Sequence, residues 1–165
     1  MQRRLLSVVA SFALSAVPFA ACAAAAELPD LEGSYRLVKR EMPDGTVRTP
    51  PEVVGFMTYA GGHRNFNVAW DDAEGKRVTL SIVATYELSD AGYCEDVEHW
   101  VATNLTEPGV SLTPPEAKKE CGEVEVVEGQ TRIHYPGEPV YVVATEKGFD
   151  AIAEGTFVDH WERVE

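Results

Sequence analysis

Apolar and polar side chains alternate along most of the chain after residue 30, with a period of two residues. In the clearest run, 78–87, every second residue is apolar or aromatic, and those between them are mostly Thr, Ser and Glu. Alternation of this kind is typical of a β-strand with one buried and one solvated face. After residue 26, no window of eleven residues has apolar side chains recurring every three or four residues, as an amphipathic helix requires.

Further β-rich runs follow one another along the chain. They lie at residues 35–41, 53–59, 65–70, 97–104, 124–127, 131–135, 140–145, 149–153 and 156–164. Turn residues separate the runs, and Glu128-Gly129 and Lys147-Gly148 are short enough to form hairpins. Residues 107–121 contain three prolines and form the longest stretch without a strand pattern, so we predict a loop there.

Nine or ten short strands joined by tight turns predict sequential antiparallel pairing. Such a sheet must hide its edges, either in a sandwich or by closing on itself. A Greek-key sandwich needs more long connections than this chain offers. We therefore expect an all-β protein, an antiparallel up-and-down β-barrel of about eight to ten strands, whose interior can hold side chains or one small ligand.

The first residues have the layout of a bacterial secretory signal peptide. Arg3 and Arg4 precede an uncharged apolar stretch, and 20–26 is nearly all Ala, with small residues suited to cleavage before Glu27. We predict a signal peptide at 1–26, a single domain at 27–165, and export to the periplasm or beyond the cell. The alternative is a lipoprotein anchored to a membrane through acyl chains on Cys22, because the residues before it resemble a weak lipobox.

The charge is uneven along the chain. The whole sequence carries a net charge of −13, but residues 27–165 hold 27 acidic and 12 basic side chains, a net charge of −15. A surface this acidic repels phosphate groups, which argues against nucleic acid and against docking on anionic lipid. We expect no transmembrane segment in the mature chain.

Two cysteines remain once Cys22 is set aside. Cys94 and Cys121 form an even pair in a chain predicted to enter an oxidising compartment, which favours a disulfide between them. Two free thiols are the alternative. The spacing of Cys and His predicts no zinc site, and we expect no metal and no cofactor.

Several short motifs occur in a recognisable order. They are Gly33-Ser34-Tyr35-Arg36-Leu37-Val38, Asp44-Gly45, Gly55-Phe56-Met57-Thr58-Tyr59, Ala84-Thr85-Tyr86, Val97-Glu98-His99 and Trp161-Glu162-Arg163. Together they resemble the bacterial lipocalin-like domain family, a group of short calycin-type barrels, over residues 31–164. Tyr35 stands where that family usually has Trp. The resemblance implies a barrel whose closed end is formed by Gly33, Tyr35, Trp161 and Arg163, with the Arg163 guanidinium over the Tyr35 ring. It also implies that replacing Tyr35 or Arg163 lowers stability without a selective effect on ligand binding.

Six residues are candidates for ligand contacts. They are Tyr59, Leu80, Ile82, Tyr86, His99 and Arg132. His99 shares a strand face with Val97 and Val101, so we expect it to point inward as a polar anchor, although a hydrogen-bonded core histidine is the alternative. Trp100 would then face outward, unless a β-bulge changes the alternation. Arg132 would hold a carboxylate if it faced inward, and would be an exposed residue otherwise.

Three functions fit these observations. The first is an exported binding protein for a small apolar or amphipathic molecule, which predicts an apolar cavity. The second is an enzyme of isomerase or cyclase type, which predicts titratable groups that meet inside the cavity. The third is a structural or interaction protein of the envelope, with a packed interior and an exposed patch. We favour the first, mostly because of the resemblance and the predicted barrel. Motifs of common hydrolases and nucleotide-binding enzymes are also missing from the sequence.

Overall fold

The computed structural model describes residues 28–113 and 119–164. These residues form strands and no helix, which confirms the predicted all-β class. In chain order the strands are β1 (Gly33–Glu41), β2 (Val47–Arg48), β3 (Val53–Ala60), β4 (His63–Asp71), β5 (Arg77–Ser89), β6 (Gly92–Thr103), β7 (Val110–Thr113), β8 (Glu120–Gly122), β9 (Val124–Val127), β10 (Gln130–His134), β11 (Tyr141–Ala144), β12 (Gly148–Ala153) and β13 (Phe157–Arg163). The predicted signal peptide and Cys22 lie outside the described residues.

The strands form one antiparallel meander. Its order is β7-β6-β5-β4-β3-β1-β13-β12-β11-β10-β9, so most neighbours in the sheet are also neighbours in sequence. Two short strands lie off this path: β2 pairs with β1, and β8 pairs with β6. Sequential pairing of this kind follows from the short turns between the runs.

The expectation of a loop at 107–121 is wrong for two segments. Residues 110–113 pair with the last residues of β6, and residues 120–122 pair with its first residues. The β6 strand is twelve residues long and exposes backbone donors and acceptors along its outer edge. Short segments can satisfy those groups through their backbones alone, which leaves little trace in the side-chain pattern.

The sheet does not close into the predicted barrel, because its paired strands form a path with two ends, β7 and β9. The first residues of β6 and the β10–β9 end of the sheet approach each other along residues 120–127, where β8 pairs with β6 and β9 pairs with β10. Between the two ladders, the backbone N–H of His134 donates to the carbonyl of Glu123 at 2.9 Å. The sheet therefore curls around a common interior, but the ladder is interrupted where β8 gives way to β9.

The disulfide predicted from the cysteine count is present. Cys94 of β6 and Cys121 of β8 are direct cross-strand partners, with their sulfur atoms bonded. The bond ties the three-residue β8 to the long edge of β6. It therefore holds in place the segment that bridges the two ends of the sheet.

Aromatic side chains fill much of the interior. Tyr35, Tyr59, Tyr93, Phe149 and Trp161 are all buried, and their rings contact one another or neighbouring rings edge-on or stacked. Large rings bury more apolar area than any other side chains, so they supply much of the hydrophobic stabilisation of a small core.

Trp161 reaches its place only because the facing residue on β3 is Gly55. A Cβ atom at Gly55 would lie 2.5 Å from Cη2 of the Trp161 ring and 3.0 Å from Cβ of Leu37. The missing side chain lets the indole lie against the β3 backbone, which explains the glycine within that strand.

Two β-bulges change which side chains face inward. In β1 the register with β13 shifts between Leu37 and Lys39, so Tyr35, Leu37 and then Arg40 are buried. In β6 the pairing with β5 shifts so that Glu98 has no partner. An extra residue reverses the alternation beyond it.

Candidate functional site

A cavity of about 620 Å³ opens where β1 begins and β13 ends. Its size falls within the range of small-molecule sites, roughly 300–1,000 Å³. The buried side chains of Tyr35, Ile133, Val142 and Phe149 form its apolar floor. Other lining residues come from the segment before β1, from the β11–β12 hairpin and from the end of β13: Pro29, Asp30, Leu31, Ala144, Thr145, Glu146, Lys147, Gly148, Glu162 and Arg163.

Arg163 lies over Tyr35 at this cavity. Its guanidinium carbon is 5.0 Å from the centre of the Tyr35 ring, the contact that the resemblance implies. Its Nη2 atom also donates to the Tyr35 hydroxyl at 2.8 Å, and that hydroxyl donates to the carbonyl of Leu31 at 3.0 Å. Both residues also line the cavity. The expectation that their replacement lowers stability without a selective effect on ligand binding stays a prediction.

The polar groups at the mouth are mostly acidic, and the two cations are already engaged. Lys147 lies 3.6 Å from the carboxylate of Glu162. Arg163 donates to the main-chain carbonyls of Asp30 and Glu32. The mouth thus offers carboxylates and backbone groups above an apolar floor, an arrangement that suits a molecule with one apolar and one polar end.

A second group of polar side chains is buried within the same half of the molecule. Arg64 of β4 is 1% exposed, and its Nη1 atom donates to Glu95 of β6 at 2.6 Å. The Tyr93 hydroxyl donates to the same carboxylate oxygen. The guanidinium carbon lies 4.3 Å from the ring centre of Tyr135 and 4.9 Å from that of Phe66, so aromatic faces cover the cation.

Burial controls the protonation of this cluster. It raises the pKa of Tyr59, Tyr93 and Tyr135 above the ordinary value, so all three are neutral phenols at neutral pH. Burial by itself lowers the pKa of Arg64, but the surrounding oxygens of Tyr59, Tyr135 and Glu95 raise it well above its usual value. The cluster therefore contains a permanent cation.

Glu138 approaches the cluster from the loop between β10 and β11. Its carboxylate lies 3.9 Å from Nη2 of Arg64, beyond hydrogen-bond distance, and its side chain keeps 31% of its surface exposed. Burial raises the pKa of Glu138, and the nearby Arg64 cation opposes that rise. Glu138 thus stands between Arg64 and solvent.

A second buried arginine lies near the opposite end of the sheet. Arg40 donates from Nε and Nη2 to the two carboxylate oxygens of Asp159, at 2.6 and 2.7 Å. Its guanidinium carbon also lies 4.1 Å from the ring centre of Phe157. Burial raises the pKa of Asp159, and the hydrogen bonds from Arg40 oppose that rise.

The six predicted ligand contacts do not gather around the cavity, although Tyr59 and Tyr86 are in contact. Tyr59 and Ile82 are buried in the core, and Leu80 packs against it from a partly buried position. The Tyr86 ring is 5.0 Å from that of Tyr59, and burial together with nearby Glu32 raises its pKa to about 12. None of the six lines the cavity.

His99 and Arg132 face away from the interior. His99 is exposed, since the bulge at Glu98 reverses the alternation and turns Ala102 inward instead. Its predicted inward direction is therefore wrong. Arg132 is half-buried on the strand face opposite Ile133, and its guanidinium packs over Tyr141 at 4.8 Å, so it is neither an inward anchor nor a fully exposed residue.

Sequence reasoning missed the residues that do line the floor. Ile133, Val142 and Phe149 lie in runs that were predicted as strands, but nothing in the alternation shows which strands meet at one end. Arg64 did leave a signal, because it continues the same strand face as Phe66 and Val68. A charged residue in phase with apolar ones indicates a buried, paired charge.

Among residues 28–113 and 119–164, no three His, Cys, Asp or Glu side chains are placed to hold a metal ion. No helix in the same part of the chain is long and apolar enough to cross a membrane.

The fold and the cavity define an all-β protein with a curled antiparallel sheet and a ligand-sized opening at one end. No protein-family model, curated protein or solved structure matches this chain. The resemblance to the lipocalin-like domain family therefore rests on the sequence motifs alone.

Proposed function

We propose that this protein is an exported lipocalin-like binding protein for a small, mostly apolar molecule. The observation that carries the proposal is the cavity of about 620 Å³ over buried Tyr35, Ile133, Val142 and Phe149. An apolar floor of this kind stabilises a ligand by removing its apolar surface from water, while a few polar groups fix its orientation.

The ligand is proposed to be amphipathic rather than purely apolar. The floor is apolar, but the mouth carries the carboxylates of Asp30, Glu146 and Glu162 and the cations Lys147 and Arg163. Because Arg163 and Lys147 are engaged within the chain, the polar end is best served by a neutral group that donates hydrogen bonds.

The proposed site is not the central interior that the sequence suggests. Tyr59 and Ile82 are buried in the core and do not line the cavity, so the ligand is proposed at the end of the sheet. The enzyme alternative requires titratable groups that meet in the cavity. At the cavity the Tyr35 hydroxyl meets Arg163 and Lys147 meets Glu162, whereas the buried cluster around Arg64 does not line it.

Export belongs to the proposal and rests on residues 1–26. The intact mass of the protein isolated from its own cells tests it. A chain that begins at Glu27 supports secretion, a diacylglyceryl group on Cys22 supports the anchored form, and an uncleaved chain contradicts both.

Binding can be tested with the neutral fluorescent probe N-phenyl-1-naphthylamine. Ala144 is exposed and lines the cavity, so Ala144→Trp places a large ring in the opening. Ala73 is exposed in the turn between β4 and β5 and does not line the cavity, so Ala73→Trp is the matched control.

We expect saturable binding to the wild-type protein and to Ala73→Trp, and at least tenfold weaker binding to Ala144→Trp. Tenfold corresponds to about 1.4 kcal/mol of binding free energy. No binding to the wild-type protein, or equal binding to both tryptophan variants, would contradict the proposal.

A further inference from the structure

The two buried arginines, Arg40 and Arg64, differ in the hydrogen-bond partners of the guanidinium edge formed by Nε and Nη2. In Arg40, Nε and Nη2 both donate to Asp159, so this edge is closed by a carboxylate. In Arg64, Nη1 donates to Glu95, whereas Nε is buried and no group in the described part of the chain accepts its hydrogen bond. Nη2 of Arg64 has its nearest carboxylate, Glu138, at 3.9 Å.

An open edge of this kind has a defined chemical partner. Nε–H and Nη2–H of arginine point in parallel and match the two oxygens of a carboxylate, as Arg40 and Asp159 show in this molecule. A buried donor without an acceptor costs free energy, and Arg64 is only 1% exposed. Burial also strengthens the attraction between a cation and an incoming anion.

From this geometry we propose that the Nε–Nη2 edge of Arg64 is a binding site for the carboxylate group of a small organic acid. The ligand's carboxylate takes the position relative to Arg64 that Asp159 takes relative to Arg40. Tyr135 and Phe66 supply apolar contacts, because the guanidinium already lies over their rings at 4.3 and 4.9 Å.

Glu138 is the group that such a ligand must displace. It faces the open edge with its own carboxylate, too distant for a hydrogen bond, and it is partly exposed at the surface. It lies in the loop between β10 and β11, where residues 136–139 consist of Glu138, two prolines and a glycine and follow the buried Tyr135. Movement of this loop would open a path to Arg64 while Glu95 keeps its hydrogen bond to Nη1.

This second site is independent of the cavity proposed above. Neither Arg64, Glu95 nor Glu138 lines that cavity. Failure of one proposal therefore leaves the other standing, and one variant separates them: Ala144→Trp fills the cavity and touches none of the Arg64 cluster.

The test compares octanoate with octanol, which share an alkyl chain and differ in the polar group. Binding to the wild-type protein at pH 7 is measured by isothermal titration calorimetry. Glu138→Gln removes the competing charge and keeps the shape of the side chain. Glu74→Gln, in an exposed turn, is the matched control for the change in net charge.

We expect octanoate to bind at least fivefold more tightly to Glu138→Gln than to the wild-type protein, and octanol to show no such gain. Glu74→Gln should leave octanoate affinity unchanged, and Ala144→Trp should not abolish it. Equal affinity of octanoate for Glu138→Gln and the wild-type protein, or binding lost in Ala144→Trp, would overturn the proposal.

Nuclear magnetic resonance identifies the arginine directly. The Nε–H signal of Arg64 can be assigned through its bonds to the backbone of residue 64, so no arginine variant is needed. Octanoate should shift this signal downfield and leave the Arg40 Nε–H signal in place. An Arg64 signal that stays unmoved at saturating octanoate would show that the carboxylate binds elsewhere.

Discussion

The hydroxyl groups of Tyr59 and Tyr135 lie 2.6 Å apart in the interior, although 76 residues separate them in sequence. Tyr59 belongs to β3, and Tyr135 follows β10, which lies five strands further along the sheet path. Their hydrogen bond spans the interior from one wall of the curled sheet to the other. A test of this hydrogen bond is therefore a direct test of whether the sheet curls as described.

The first prediction concerns this hydrogen bond. Replacing either tyrosine alone by Phe leaves a buried hydroxyl without its partner and should cost about 1–3 kcal/mol of unfolding free energy. Replacing both should cost less than the sum of the two, because no unpaired hydroxyl remains. Urea unfolding of the two single variants and the double variant provides the measurement. Strictly additive losses would show that the two hydroxyls do not interact.

Alkaline pH should unfold the protein and ionise its buried tyrosines together. Burial raises the pKa of Tyr59, Tyr93 and Tyr135 in the folded state. The folded chain then holds these protons more tightly than the unfolded chain. Their contribution to stability is fully present below pH about 10 and is lost as the pH rises toward the folded pKa, by about 1.4 kcal/mol per pH unit for each phenol.

This second prediction is checked by following tyrosinate absorbance at 295 nm and circular dichroism in one titration. We expect most of the absorbance change to coincide with loss of β-structure, and a smaller early change from the more accessible phenols. Complete ionisation near pH 10 with the fold intact would mean that these tyrosines are not buried.

The third prediction concerns the buried ion pair of Arg40 and Asp159. Asp159→Asn leaves the Arg40 cation buried without its carboxylate, which should destabilise the protein by roughly 3–5 kcal/mol. Glu41→Gln is the control, since Glu41 pairs with Lys39 on an exposed surface and should cost far less. Thermal unfolding of the two variants compares them, and equal losses would contradict the buried location of the Arg40 pair.

The alternating pattern predicted the positions of the strands well, and the directions of their side chains less well. The run at 78–87 became β5 with Val78, Ile82 and Ala84 buried, as its alternation predicts. The inward direction of His99 failed because a single extra residue, Glu98, reverses every later side chain on β6. Bulges depend on pairing with a neighbouring strand, so one strand's own sequence does not show where they occur.

The candidate site was harder to predict than the fold, for a related reason. Phe149 and Tyr35 meet because β1, β13 and β12 are neighbours in the sheet, which joins the two ends of the chain. Periodicity reports which residues share a strand face, but not which strands pair. Tyr35 and Arg163 were paired by the resemblance, which supplied this missing information for one contact only.

The fourth prediction concerns the disulfide. Cys94 and Cys121 lie 27 residues apart, and closing a loop of that length should stabilise the fold by roughly 3–4 kcal/mol. Replacing both by Ser, or adding a reductant, should lower the free energy of unfolding by that amount and shift the urea midpoint to a correspondingly lower concentration. β8 holds only three residues, so the loss should first appear as faster amide exchange at Glu120 and Gly122. An unchanged midpoint under reducing conditions would contradict this role.

The most direct test of the central claim is native mass spectrometry of the protein purified from its own cells. We predict that the wild-type protein carries a small, mostly apolar molecule as a discrete added mass, and that Ala144→Trp from the same cells does not. Absence of any added mass in the wild-type protein, or the same added mass in both proteins, would contradict a ligand in the cavity above Tyr35 and Phe149.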